Sequence, residues 1–197
     1  QLIFLMNKPR HKLFVLAMIL IFVSTSYSAV LANNPNAKFL QSTTERGIVW
    51  DVTMSFHEPE DGYDYVVFGE ATDAHDGSPV DLYDTIKPPP PMSPYLYTWF
   101  NDSLPAPYDK LTKDYRHYPD IIKCWRLFVQ WVPSDYVTPT TVTMKWDSQE
   151  INSTEYSFIT LTDSEGEPLN NMRLDNSYIF SCPAMEPQSF TIICSMN

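Results

Sequence analysis

Four aspartates, Asp73, Asp76, Asp81 and Asp84, fall within the stretch Phe68-Gly69-Glu70-Ala71-Thr72-Asp73-Ala74-His75-Asp76-Gly77-Ser78-Pro79-Val80-Asp81-Leu82-Tyr83-Asp84. Calcium takes roughly six to eight oxygen ligands from carboxylates, carbonyls and water, and an acidic loop is a ready supply of them. The spacing is not that of an EF-hand, because His75 and Gly77 stand where two ligands would be needed. The competing reading is that these aspartates cap turns through local bonds from side chain to backbone. A second candidate is the segment Pro105–Asp120, where Tyr108, Tyr115, Tyr118, Arg116 and His117 gather not far from Trp99. Tyrosine and tryptophan faces stack on sugar rings, and Arg116 could hydrogen-bond hydroxyls; the alternative is a loop that covers one end of the fold and buries its rings.

Catalytic patterns are sparse. After residue 32 the histidines are His57, His75 and His117, none beside a nucleophile or in a metal motif. There is no G-x-S-x-G, no H-E-x-x-H and no phosphate-cradling glycine loop, so the expectation is a protein that is not an enzyme. Cys124, Cys182 and Cys194 allow at most one internal bridge. A tight hairpin through Pro183–Gln188 would put Cys182 and Cys194 out of register, which favours unreactive buried thiols. Asn101-Asp102-Ser103 and Asn152-Ser153-Thr154 are N-x-S/T sequons, so Asn101 and Asn152 are glycan acceptors if the chain is exported through a glycosylating pathway.

Export is what the N-terminal segment predicts. Met6–Lys12 carries Lys8, Arg10 and Lys12, Leu13–Val23 is apolar, and a small-residue stretch ends at Val30-Leu31-Ala32. This is the layout of a signal peptide over 1–32, with 1–5 a possible upstream extension. Kept uncleaved, it would be the one membrane contact. Residues 33–46 read as a flexible leader and 47–197 as a single domain. The segment 1–32 contains no acid, so the rest holds 24 acidic and 13 − 3 = 10 basic residues, a net charge of −14. Phosphate would be repelled, and no basic stripe offsets this, which excludes nucleic acid as a partner.

Seventeen Pro against five Gly place much of the chain in extended connectors and edges. The rest alternates with a period of two. Ile48, Trp50, Val52, Met54 and Phe56 share one face of a run; Trp125, Leu127, Val129 and Trp131 oppose Cys124, Arg126, Phe128 and Gln130; Val142, Met144 and Trp146 share another. Further strands are expected at Tyr65–Gly69, Tyr95–Phe100, Tyr156–Leu161, Met172–Leu174, Ser177–Cys182 and Ser189–Cys194, with a hairpin or short loop at Asp163–Gly166. The best helical candidate is a short one at Tyr108–Tyr115. The pattern predicts an all-β antiparallel sandwich. Lys87-Pro88-Pro89-Pro90-Pro91-Met92-Ser93-Pro94 would be a stiff crossover strut against Tyr95, Tyr97 and Trp99, or an exposed tract for a partner's aromatic groove.

Several of these segments together resemble a β-sandwich module of large exported proteins found in archaea and in bacteria with type IX secretion. They are Phe68-Gly69, Asp76-Gly77, Asp81, Asp84, Pro88–Pro91, Pro94-Tyr95, Thr143-Met144-Lys145-Trp146-Asp147 and Phe158–Asp163. The resemblance implies an immunoglobulin-like sandwich in a secreted or cell-surface protein, without established chemistry. The Asp76–Asp84 spacing, with Pro79 and Val80 inserted, is looser than the module's acidic pattern. The expectation is thus a structural or adhesive surface module that packs with copies of itself or with other envelope proteins. Ser189–Cys194 would be the exposed edge strand and the leader a possible strand donor. A carbohydrate-binding module built on Trp99, Tyr108, Tyr115, Arg116 and Tyr118 is the rival, with calcium the one cofactor the chain suggests.

Overall fold

The computed structural model describes residues 47–196 apart from Asp61; the signal segment, its upstream extension and the leader lie outside the described residues. The described chain is β1 (Ile48–His57), β2 (Tyr63–Ala71), β3 (Thr85–Ile86), β4 (Tyr95–Phe100), β5 (Leu111–His117), β6 (Ile122–Val132), β7 (Thr140–Trp146), the helix α1 (Ser148–Asn152), β8 (Phe158–Thr162), β9 (Pro168–Asn171), β10 (Ser177–Cys182) and β11 (Gln188–Ser195). The strands form one sheet in the order β10-β7-β1-β2-β5-β4-β6-β11-β8-β9, with β3 pairing β5 off that path. The sheet curls into a nearly closed, barrel-like sandwich, so the all-β class read from alternation holds.

The alternation works because each pleated strand sends successive side chains to opposite faces. Val52, Met54 and Phe56 of β1, Trp125, Leu127 and Val129 of β6, and Val142 and Met144 of β7 all turn inward and are buried. Their outward neighbours Asp51, Thr53, Arg126 and Lys145 are exposed. Rings lock the two sides of the curl together. Trp50 meets Phe68 edge-on at 5.8 Å and Trp125 at 5.8 Å, while Phe180 of β10 meets Phe190 of β11 at 4.8 Å and 67°. Such pairs add about 0.5–1.5 kcal/mol each beyond the area they bury. Gly69 is required where β1 and β2 press together beside the irregular register at Ile48/Trp50, because a Cβ there would run into Trp50 O.

Four expectations are corrected. The pairing is not antiparallel throughout, since β2 and β5 run parallel, Val67–Ala71 against Lys113–His117. Leu111–His117 of the expected Pro105–Asp120 loop is strand β5, which takes Leu111–Tyr115 of the candidate helix Tyr108–Tyr115, while Tyr108–Lys110 form a turn; Asp114, buried within β5, broke the apolar alternation that marks a strand. Met172–Leu174 is turn, and the strand lies earlier, at β9. The expected edge Ser189–Cys194 is interior, because β11 pairs β6 on one side and β8 on the other. The helix α1 was not foreseen; Asp147 caps it by accepting a bond from Gln149 N at 2.7 Å. The Asp163–Gly166 connection is as expected, Asp163 Oδ1 accepting from Glu165 N and Glu167 N at 2.9 Å each.

The insertion of β5 has a local consequence. It enters between β2 and β4 only from Val67 onward on one side and at Phe100 on the other. Over Tyr63–Val66 and Tyr95–Thr98 the two strands face each other with no strand between them. One carboxylate bridges the gap: Asp64 Oδ2 accepts from Thr98 N at 2.6 Å and Thr98 Oγ1 at 3.0 Å, and Asp64 Oδ1 accepts from Tyr65 N at 2.9 Å and Lys87 Nζ at 2.7 Å.

Candidate functional site

The acidic loop is tied into the framework by hydrogen bonds within the protein. Asp81 accepts from His75 N at 2.6 Å and Tyr83 N at 2.7 Å, and Asp84 accepts from Asp81 N at 3.3 Å. Asp73 accepts from Thr72 Oγ1 at 2.6 Å. Asp76 accepts from His117 N at 2.8 Å and pairs with Lys123. Among the described residues no group of three or more His, Cys, Asp or Glu side chains is placed to hold a metal ion. Asp73, Asp76, Asp81 and Asp84, the residues of the calcium expectation, are thus placed as turn caps and as fastenings of the loop to β5 and β6.

Behind that loop lies a buried charge cluster. Arg116 pairs with Asp102 and reaches Asp114 Oδ2 at 3.5 Å, with its guanidinium 5.7 Å from the Trp125 ring. Burial pushes Asp114 up to about 7, Arg116 only partly offsetting it, and Asp84 up to about 6, with Asp81 adding to the effect. Asp102 is raised for the same reason, removal from water. A second buried carboxylate, Glu70, accepts from Trp50 Nε1 at 2.8 Å and Tyr156 hydroxyl at 2.7 Å. Burial raises its pKa despite both bonds.

The expected sugar-stacking residues are not brought together on an open surface. Trp99 is only 6% exposed, stacked on Phe128 at 5.4 Å and 8° with Lys110 Nζ 4.3 Å from its ring. Tyr115 is 2% exposed and donates to Asp51 Oδ2 at 2.7 Å. Tyr108 packs against the core and Tyr118 is half-buried. Arg116 is spent on its aspartates. That grouping is corrected, because β5 carries its tyrosine and arginine into packing and a charge network.

The expected glycan acceptors differ in setting. Asn101 donates from Nδ2 to Asp109 O at 3.1 Å and accepts from Ser103 N at 3.0 Å, whereas Asn152 is exposed at the end of α1. All three cysteines are free. Cys182 and Cys194 are buried, their thiols pushed up by desolvation, Cys182 to about 11; Cys124 is exposed, against the expectation of burial.

Sequence reasoning passed over the groove formed where β2 and β4 separate. It has a volume of about 480 Å³ and is walled by Tyr63, Tyr65, Lys87, Tyr95, Tyr97 and Thr112, with Pro88, Pro89, Pro91 and Pro94 along one side. Tyr63 and Tyr65 are 56% and 42% exposed, with ring centroids 6.5 Å apart and planes inclined by 28°. Lys87 is buried; its ammonium donates to Asp64 and, at 3.1 Å, to Tyr65 O, and lies within 6 Å of the Tyr65 and Tyr97 rings. Burial lowers the Lys87 pKa, with Asp64 opposing. The polyproline tract is anchored rather than free, since Tyr97 hydroxyl donates to Pro88 O at 2.8 Å. The available signal was the Tyr63-Asp64-Tyr65 alternation, which places two rings on the face opposite Val66 and Phe68.

Compared with known proteins, the chain matches no family model, no curated protein and no solved structure.

Proposed function

We propose that this chain is a secreted or cell-surface structural and adhesive β module that packs with copies of itself or with other surface proteins. The observation that supports this reading is the asymmetry of the sheet's two ends. At one end β9 is only four residues long and begins with Pro168, a short and proline-blunted edge of the kind that resists pairing. At the other end β10 pairs β7 in unbroken register from Ser177 to Cys182. Among the described residues it has no sheet neighbour on its far side, and Ile179 at its middle is 62% exposed. An unblunted edge of this length is a template for another strand. The net charge of −11 opposes association of like chains, so contact between copies strengthens as salt screens it.

Sedimentation velocity from micromolar to millimolar protein, at low and moderate salt, tests the reading. Concentration-dependent association that Ile179→Lys suppresses is expected, because a charge on the edge blocks strand addition while the exposed position leaves the fold intact. A monomer throughout, with no surface-protein partner captured by wild type and lost in Ile179→Lys, would refute it.

A further inference from the structure

The groove between β2 and β4 is the feature whose chemistry the structural role leaves unused. Its volume of about 480 Å³ lies within the roughly 300–1,000 Å³ of sites that take small organic ligands. Two of its rings, Tyr63 and Tyr65, remain 56% and 42% exposed although Tyr63 also meets His57 at 5.1 Å and Tyr65 at 6.5 Å, and Lys87 Nζ lies 5.7 Å from the Tyr65 ring. They sit on the same face of β2, two residues apart. Rings on a strand lose little freedom on binding, having only two side-chain torsions each.

The polar groups narrow the ligand. Lys87 is the cation of the groove, and Asp64 neutralises it at 2.7 Å, in a chain whose net charge is −11. An anion would meet repulsion, and a cation would find no free carboxylate, because both Asp64 oxygens already accept bonds. The groove suits a neutral molecule. Its hydrogen-bonding capacity is nonetheless unspent. The Lys87 ammonium has three donors, two of which go to Asp64 Oδ1 and Tyr65 O. The third is left for a ligand hydroxyl, while Thr112, which also lines the groove, keeps its own hydroxyl buried. A peptide strand fits less well. The Pro88–Pro94 wall offers few backbone N–H donors, and Thr98 N of β4 is already held by Asp64.

We propose that the groove binds a neutral oligosaccharide, with sugar rings stacked on the exposed parts of Tyr63 and Tyr65 and a hydroxyl hydrogen-bonded to Lys87 Nζ. The site is separate from the β10 edge, so its failure would leave the assembly reading untouched, and the reverse also holds.

The test is isothermal titration of the folded protein with cellohexaose, chitohexaose and mannohexaose, beside an oligogalacturonate and a decaproline peptide. At least one neutral hexasaccharide is expected to bind, and Tyr65→Ala or Tyr63→Ala to weaken it by about tenfold or more, which corresponds to about 1.4 kcal/mol for one lost aromatic anchor. Phe158→Ala, an exposed aromatic elsewhere on the surface, should leave the affinity unchanged. Circular dichroism of each variant confirms folding. Absence of binding by all three neutral sugars overturns the proposal. So does binding indifferent to both tyrosine substitutions, or a preference for decaproline or oligogalacturonate over every neutral sugar.

Discussion

Raising the pH from 5 to 8 should destabilise this protein, and Asp114 is the principal cause. Its carboxyl titrates at about 7 in the fold against an ordinary 3.8. The folded state therefore holds a proton that the unfolded state has released. A raised folded value contributes stability that is complete below about pH 4 and lost as the pH rises through 7. For Asp114 alone, the difference between pH 5 and pH 8 is about 2–3 kcal/mol. Asp84, at about 6, acts in the same direction with less burial. The groups facing the pair are Arg116 beside Asp114 on β5, Asp102 after β4 and Asp81 in the acidic loop, with Asp76 acting on Asp102. Arg116 is the one cation among them, and it cannot compensate several carboxylates at once. At about 2–4 °C per kcal/mol for a domain of this size, Tm should fall by roughly 5–10 °C between pH 5 and pH 8. Differential scanning calorimetry at constant ionic strength measures it. Asp114→Asn should remove most of the slope and raise Tm at pH 8. A Tm that is flat or rising over this interval, or a slope unchanged in Asp114→Asn, would refute the reasoning.

Other expectations concern the core and the thiols. Glu70→Ala should cost about 1–3 kcal/mol in urea unfolding by leaving the Trp50 and Tyr156 donors unpaired in the interior; Glu70→Gln, which keeps an acceptor, should cost less, and equal losses would contradict the assignment. Gly69→Ala should cost about 1–3 kcal/mol, since the added methyl meets the β1 backbone at Trp50 O; an unchanged urea midpoint would show that β1 and β2 can part there freely. A thiol reagent applied to the native protein should modify Cys124 first and spare the buried Cys182 and Cys194 until unfolding. Peptide mass spectrometry reads the order, and early modification of Cys194 would contradict its burial.

Strand faces were legible wherever one side of a strand is apolar and the other wet. The alternations of β1, β6 and β7 told which residues enter the core, because side-chain direction along a strand is a local property with a period of two. The same reading failed at β5, where Asp114 and Thr112 are buried and no apolar stripe marks the strand. A buried carboxylate is tolerated there only because Arg116 and the tail of β4 come to meet it. That meeting also withdrew Tyr115 and Arg116 from the surface on which sugar stacking was expected, and the aspartate loop is fastened to the same strands.

By itself the sequence determined an all-β chain, the inward residues of its best strands, and a turn-rich acidic segment. Only the tertiary structure decided that β11 is interior and β10 an edge, that β5 runs parallel to β2, and that the partial wedge of β5 opens a tyrosine-lined groove beside Lys87. The physical reason is range. Pleat and turn chemistry act between neighbours in the chain, whereas strand order, the pairing of buried charges and the gap between two strands depend on segments that meet only once the sheet has closed.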